Sequence, residues 1–65
     1  MATYNLRFKK QDERGYWHTS IEGETIEEAI ENSKKLISSR PYKIDKAYLE
    51  EIIYKTKKIW EWESE

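Results

Sequence analysis

Apolar and polar residues alternate strictly at the start of the chain: Tyr4, Leu6 and Phe8 fall on one side, and Thr3, Asn5, Arg7 and Lys9 on the other. A period of two over this length predicts a half-buried strand. The polar run from Lys10 to Gly15 reads as a loop, with Gly15 as the permissive backbone position where the chain re-enters a strand. From Tyr16 to Ile21 the alternation resumes, with Trp17, Thr19 and Ile21 against Tyr16, His18 and Ser20. This predicts a second strand in a hairpin with the first, its Trp17 side facing the core beside Leu6 and Phe8. Glu22-Gly23-Glu24 then makes the turn out.

At Thr25 the period changes. Thr25-Ile26-Glu27-Glu28 fits a capping box, in which the threonine hydroxyl accepts from the third helical amide and the glutamate reaches back. Ile26, Ala29, Ile30, Ser33 and Ile37 fall on one helical stripe, with Leu36 beside it. Glu27, Glu28 and Glu31 come early and Lys34 and Lys35 late, the order that complements the helix dipole. Pro41 cannot continue the backbone ladder and disfavours helical geometry at Arg40. The predicted helix spans 26–38.

The last third carries two patterns at once. Tyr48, Leu49, Ile52, Ile53, Thr56, Ile59 and Trp60 would line one side of a helix, and Glu51 and Lys55 would pair one turn apart. Isoleucine, tyrosine and tryptophan nevertheless suit strands, and Trp60-Glu61-Trp62-Glu63 alternates strictly. At 100° per residue a helix would set the two tryptophans about 200° apart, whereas a strand sets them together. The reading favoured is strands at 43–53 and 58–63, giving a ββαββ α+β domain: an antiparallel sheet with one helix on one face. The alternative is ββα followed by a second helix at 45–57.

Sixty-five residues allow one domain, 1–65, with one modest core. Hydrophobic residues make up 37% and charged residues 38%, so three tryptophans, five tyrosines and one phenylalanine have to supply much of the buried area. The chain has no cysteine, which excludes thiol catalysis and zinc thiolates and points to a reducing, cytoplasmic compartment. No apolar run approaches the roughly 20 residues of a membrane span. A net charge of −1 gives no general field toward nucleic acid. Lysine is frequent, isoleucine abundant and valine absent. That bias is compatible with an AT-rich bacterial, phage or plasmid genome.

Candidate chemistry is sparse. His18 lacks a motif that would supply an orienting carboxylate or a pocket and reads as a surface residue. The glutamates around the helix start lack the spaced ligands and glycine of a calcium loop, and two isolated glycines make no phosphate loop. No catalytic, cofactor or metal residue is therefore expected, nor enzymatic activity. Arg7, Lys9, Lys10 and Arg14 surround Phe8 and Tyr16, a combination that on a sheet can stack single-stranded bases. Alternation also explains it, with basic groups in solvent and rings in the core. Lys55, Lys57 and Lys58 read as a charged edge or turn that blocks strand-to-strand aggregation. If the helix covers one face only, some aromatics must lie on the other. Tyr16, Tyr54, Trp60 and Trp62 are the candidates, and such a patch marks contact with a protein partner or a second copy.

Gly15-Tyr16 opens the second strand, and Gly23, Thr25, Glu27, Glu28, Ala29 and Asn32 follow in fixed spacing. In this, residues 4–37 resemble the front half of HicB-type antitoxins, where a β-hairpin with a Gly-Tyr strand start leads into a Gly-x-Thr-x-Glu-Glu-Ala-x-x-Asn helix. The proline-rich segment that family carries before the helix is missing, as is a helix-turn-helix or ribbon-helix-helix segment. The resemblance implies a sheet that docks a protein partner, and the missing segments count against carrying over DNA-linked autoregulation. The expected function is a small non-catalytic protein-binding or regulatory module, with single-stranded nucleic-acid binding as the alternative.

Overall fold

A computed structural model describes residues 3–64. Its elements are β1 (Thr3–Lys10), β2 (Trp17–Ile21), α1 (Ile26–Ser39), β3 (Ile44–Ile52) and β4 (Thr56–Glu63). The four strands form one antiparallel sheet in the order β2-β1-β3-β4. β2 and β3 flank β1 and so run parallel to each other, and α1 is the crossover between them. This is the ββαββ arrangement, with strands instead of a second helix over 45–57. β4 begins at Thr56, earlier than the sequence pattern indicates, because Thr56 pairs with Ile52 and closes the hairpin over Ile53-Tyr54-Lys55.

Facing residues in an antiparallel pair point to the same side of the sheet. Tyr4, Leu6 and Phe8 stand opposite Ile21, Thr19 and Trp17 on one flank. On the other flank Leu6 meets Leu49 and Phe8 meets Ala47. These residues define the helix side, where Tyr4, Leu6, Phe8, Ile21, Ile44, Ala47 and Leu49 are buried with Ala29 of α1. Ala29 and Ser33 are the buried positions of the helix. Their small side chains, one turn apart, let its backbone approach the sheet. The Ser33 hydroxyl, fully buried, donates to the Ala29 carbonyl at 2.8 Å and so leaves no unpaired polar group.

Two strands carry an extra residue. Lys9 pairs with Lys46 but Lys10 with Ile44, leaving Asp45 bulged. Leu49 pairs with Trp60 but Glu50 with Lys58, leaving Ile59 bulged. Each bulge reverses the alternation of its own strand beyond it, so that Ile44 joins Ala47 and Leu49 on the helix side, opposite Lys10, and Ile59 and Trp60, although adjacent, both pack against the core.

The helix differs from its expected form at both ends. Ile26, at the N-terminal end of the expected stripe, is 39% exposed. The helix runs to Ser39, so Lys34 and Lys35 lie a turn short of its C-terminus, and the last turn holds no basic residue. Thr25 is the N-cap, and its hydroxyl accepts from the Glu28 amide at 3.1 Å. Thr25→Ala should therefore lower stability by about 0.5–2 kcal/mol, read as a lower urea midpoint at unchanged slope. An unchanged midpoint would mean that this cap contributes nothing.

Candidate functional site

The side of the sheet opposite α1 is built from the remaining register positions. β1 places Asn5, Arg7 and Lys9 there, facing Ser20 and His18 of β2. β3 adds Lys46, Tyr48 and Glu50, and β4 adds Lys58, Glu61 and Glu63. Among the described residues no element packs over this face.

Tyr48 lies near its centre, half-buried and opposite Arg7. Tyr16, which enters β2, leans on it with ring centroids 5.6 Å apart and planes tilted by 58°, a favourable offset geometry. The Lys58 ammonium stands 4.9 Å from the Tyr48 centroid, within cation–π range, and 2.6 Å from the Glu61 carboxylate. That hydrogen bond raises the Lys58 pKa and lowers that of Glu61 from their ordinary values. Tyr16, Tyr48, Lys46, Lys58, Glu61 and Glu63 line a shallow groove of about 490 Å³ along this face.

The basic groups of the face are largely answered from within. Arg7 Nε lies 3.1 Å from a Glu50 carboxylate oxygen. The N–H does not point at that oxygen well enough for a hydrogen bond, so the contact is an ion pair only. It offsets the charge of Glu50, which is only 8% exposed. Lys9 pairs with Asp45 at 3.4 Å.

The four expected contact aromatics do not share a surface. Tyr16 is on the open face. Tyr54, 98% exposed, projects from the tip of the β3–β4 hairpin. Trp60 and Trp62 stand on the helix side, half-buried against the core, because they pair with Leu49 and Ala47. Tyr48, not among the expected residues, takes their place beside Tyr16. The sequence signal for it is its parity, opposite to that of Ala47 and Leu49.

The four basic candidates are divided as well. Arg7 and Lys9 lie on the open face, and Arg14 is exposed in the β1–β2 loop. Lys10 is on the helix side, its ammonium 4.4 Å from the Trp17 ring and 4.1 Å from the Tyr42 ring. Trp17 takes the expected side but lies at the sheet edge and is 51% exposed, with its indole N–H donating to Glu13 at 3.3 Å.

Among the described residues no three His, Asp or Glu side chains converge where they could hold a metal ion, and no helix is long and apolar enough to cross a membrane. Comparison with known proteins gives no match to the chain, whether to a family model, a curated protein or a solved structure.

Proposed function

We propose that this chain is a small non-catalytic binding module that docks on another protein through the open face of its sheet, centred on Tyr16 and Tyr48. One observation carries the reading: the tyrosine pair is ringed by charges of both signs, Lys46 and Lys58 with Glu61 and Glu63. Aromatic anchors inside a mixed polar rim are how protein interfaces are built, and a mixed rim suits a partner that is itself of mixed charge. The resemblance of residues 4–37 to HicB-type antitoxins agrees with protein docking, and the cysteine-free sequence suits work in a reducing cytoplasm.

Single-stranded nucleic acid is the second reading. It is favoured by Arg7, Lys9, Lys46 and Lys58 sharing a face with Tyr48. It is weakened by the carboxylates already within 3.1 Å of Arg7, 3.4 Å of Lys9 and 2.6 Å of Lys58, and by a net charge of −1. Phosphate binding would have to displace those partners, and counterion release would then supply little of the affinity.

Two measurements separate the readings. A labelled oligothymidylate at low salt should show no saturable binding. A partner captured from bacterial lysate, then purified, should bind Tyr48→Ala about 30-fold or more weakly than wild type, as for a hot spot of ~2 kcal/mol, with the circular dichroism spectrum unchanged. Salt-sensitive oligonucleotide binding lost in Arg7→Gln would favour the second reading. Equal partner binding by wild type, Tyr16→Ala and Tyr48→Ala would remove the open face from the first.

A further inference from the structure

β4 is an outer strand of the sheet, and its charges are sorted along its length. Lys57 and Lys58 precede Ile59 and Trp60, and Glu61 and Glu63 follow them. A second copy of the same strand laid antiparallel brings each basic half against an acidic half, whereas a parallel copy sets like charge on like. Sequence alone reads these lysines as a guard against edge pairing. That guard fails against an antiparallel copy, which carries the matching carboxylates.

The bulge fixes the register. Pairing with β3 puts Thr56, Lys58, Glu61 and Glu63 on the open face, and Lys57, Trp60 and Trp62 on the helix side. Ile59, the extra residue, also packs on the helix side. A two-fold axis between Ile59 and Trp60 then matches every pair by side: Lys58 with Glu61 and Thr56 with Glu63 on the open face, Lys57 with Trp62 and Ile59 with Trp60 on the other. In an unbulged strand the same axis would oppose residues from different faces, because the side-chain period is two. With the bulge, an axis through Trp60 fails instead, since it would face Lys57 of the helix side with Glu63 of the open side. Side matching and charge matching therefore select the same register, in which the Lys58–Glu61 pair of each strand, 2.6 Å apart within one chain, lies against that of the other in a cluster of four alternating charges. It also lays each half-buried Trp60 beside an Ile59, an aromatic–β-branched pair of the kind that stabilises sheets.

We infer that the chain forms a two-fold homodimer by antiparallel pairing of β4 with β4 of a second copy, in the register that sets Lys58 against Glu61. The contact is isologous and closed, so it stops at two copies rather than growing into a fibre. It joins the two sheets into one of eight strands and sets the two open-face grooves side by side. β2, the other outer strand, reads Trp17-His18-Thr19-Ser20-Ile21 and carries no opposed lysines and carboxylates to set such a register. The pairing uses the backbone edge of β4 and does not depend on docking at Tyr16 and Tyr48.

Charge exchange tests it. Lys57→Glu/Lys58→Glu makes β4 wholly acidic, and Glu61→Lys/Glu63→Lys makes it wholly basic. All four side chains are exposed, and near-native circular dichroism of each variant checks its fold. By sedimentation velocity, wild type should show a monomer–dimer equilibrium that weakens with salt. Each variant alone should dimerise at least tenfold more weakly, and an equimolar mixture of the two should recover the dimer. Wild type that stays monomeric to its solubility limit overturns the inference. So does a mixture that remains monomeric, or variants that dimerise as wild type does.

Discussion

Leu49→Ala should cost this domain about 2–5 kcal/mol. The Leu49 side chain is fully buried and faces Leu6, itself fully buried, across β1 and β3. Its other neighbour is Trp60 on β4. Truncation leaves a cavity at the centre of the sheet, where paired strands on both sides resist collapse. At roughly 0.05–0.15 kcal/mol per residue, 65 residues hold a total stability of about 3–10 kcal/mol. The penalty therefore takes from about a fifth of that stability to all of it, and the urea midpoint should fall in proportion. Urea titration followed by tryptophan emission reads this, since Trp60 loses a packing partner directly. Ile53→Ala is the control: Ile53 is 62% exposed in the β3–β4 turn, and its loss should stay within ~0.5 kcal/mol. A Leu49→Ala penalty below about 1 kcal/mol would mean that the core is not centred on the Leu6–Leu49 pair.

That pair was half visible in the sequence. Tyr4, Leu6 and Phe8 announce a strand because nothing interrupts their alternation. The same is true of the helix, where Thr25 caps and Pro41 stops a clear stripe. β3 and β4 were harder for a physical reason: each contains a bulged residue. Asp45 stretches the buried spacing from Ile44 to Ala47 to three, and Ile59 places two apolar neighbours on one side. Spacings of three and adjacent apolar pairs are what an amphipathic helix also produces; Tyr48 beside Leu49, on opposite sides of the sheet, and Ile52 beside Ile53, at the hairpin turn, add two more such pairs away from the bulges.

Strand register explains what the sequence leaves open about the candidate site. Side assignment needs the register of each strand against its neighbour, and a pairing is not written in one strand alone. Trp60 and Trp62 alternate together, as read, but only their pairing with Leu49 and Ala47 decides that they face the helix. Charge and neighbourhood group Lys10 with Arg7 and Lys9, but it shares the parity of Tyr4, Leu6 and Phe8, and its pairing with Ile44 sets it on the helix side, beside Trp17 and Tyr42. A helical reading sets Tyr48 with Leu49 on one stripe; in a strand adjacent residues face opposite sides, and Tyr48 becomes the centre of the open face.

Gly23→Ala should destabilise the domain by about 1–3 kcal/mol, while Gly15→Ala should be neutral or stabilising by up to ~1 kcal/mol. Sequence reading gives both glycines the same task, relaxing the backbone at a turn. Neither has positive φ, and in the β1–β2 loop it is Asp12, at φ 70°, that takes the left-handed conformation. The two glycines differ in what surrounds them. A Cβ built on Gly23 would lie 2.8 Å from the Ala29 amide nitrogen and 3.0 Å from its Cα, whereas one on Gly15 meets nothing within 4 Å. Ala29 cannot yield easily: it is fully buried, and its amide donates to the Thr25 carbonyl in the first turn of α1. The added methyl must push the chain leaving β2 away from the helix, straining the Asn32 side-chain bond to the Glu22 carbonyl, now 2.7 Å. At Gly15 alanine only narrows the unfolded ensemble, which favours the folded state. Thermal melts of the two variants should therefore shift in opposite directions, or one should fall while the other holds. Equal shifts would show that the hollow behind Gly23 is wider than its distance to Ala29 indicates.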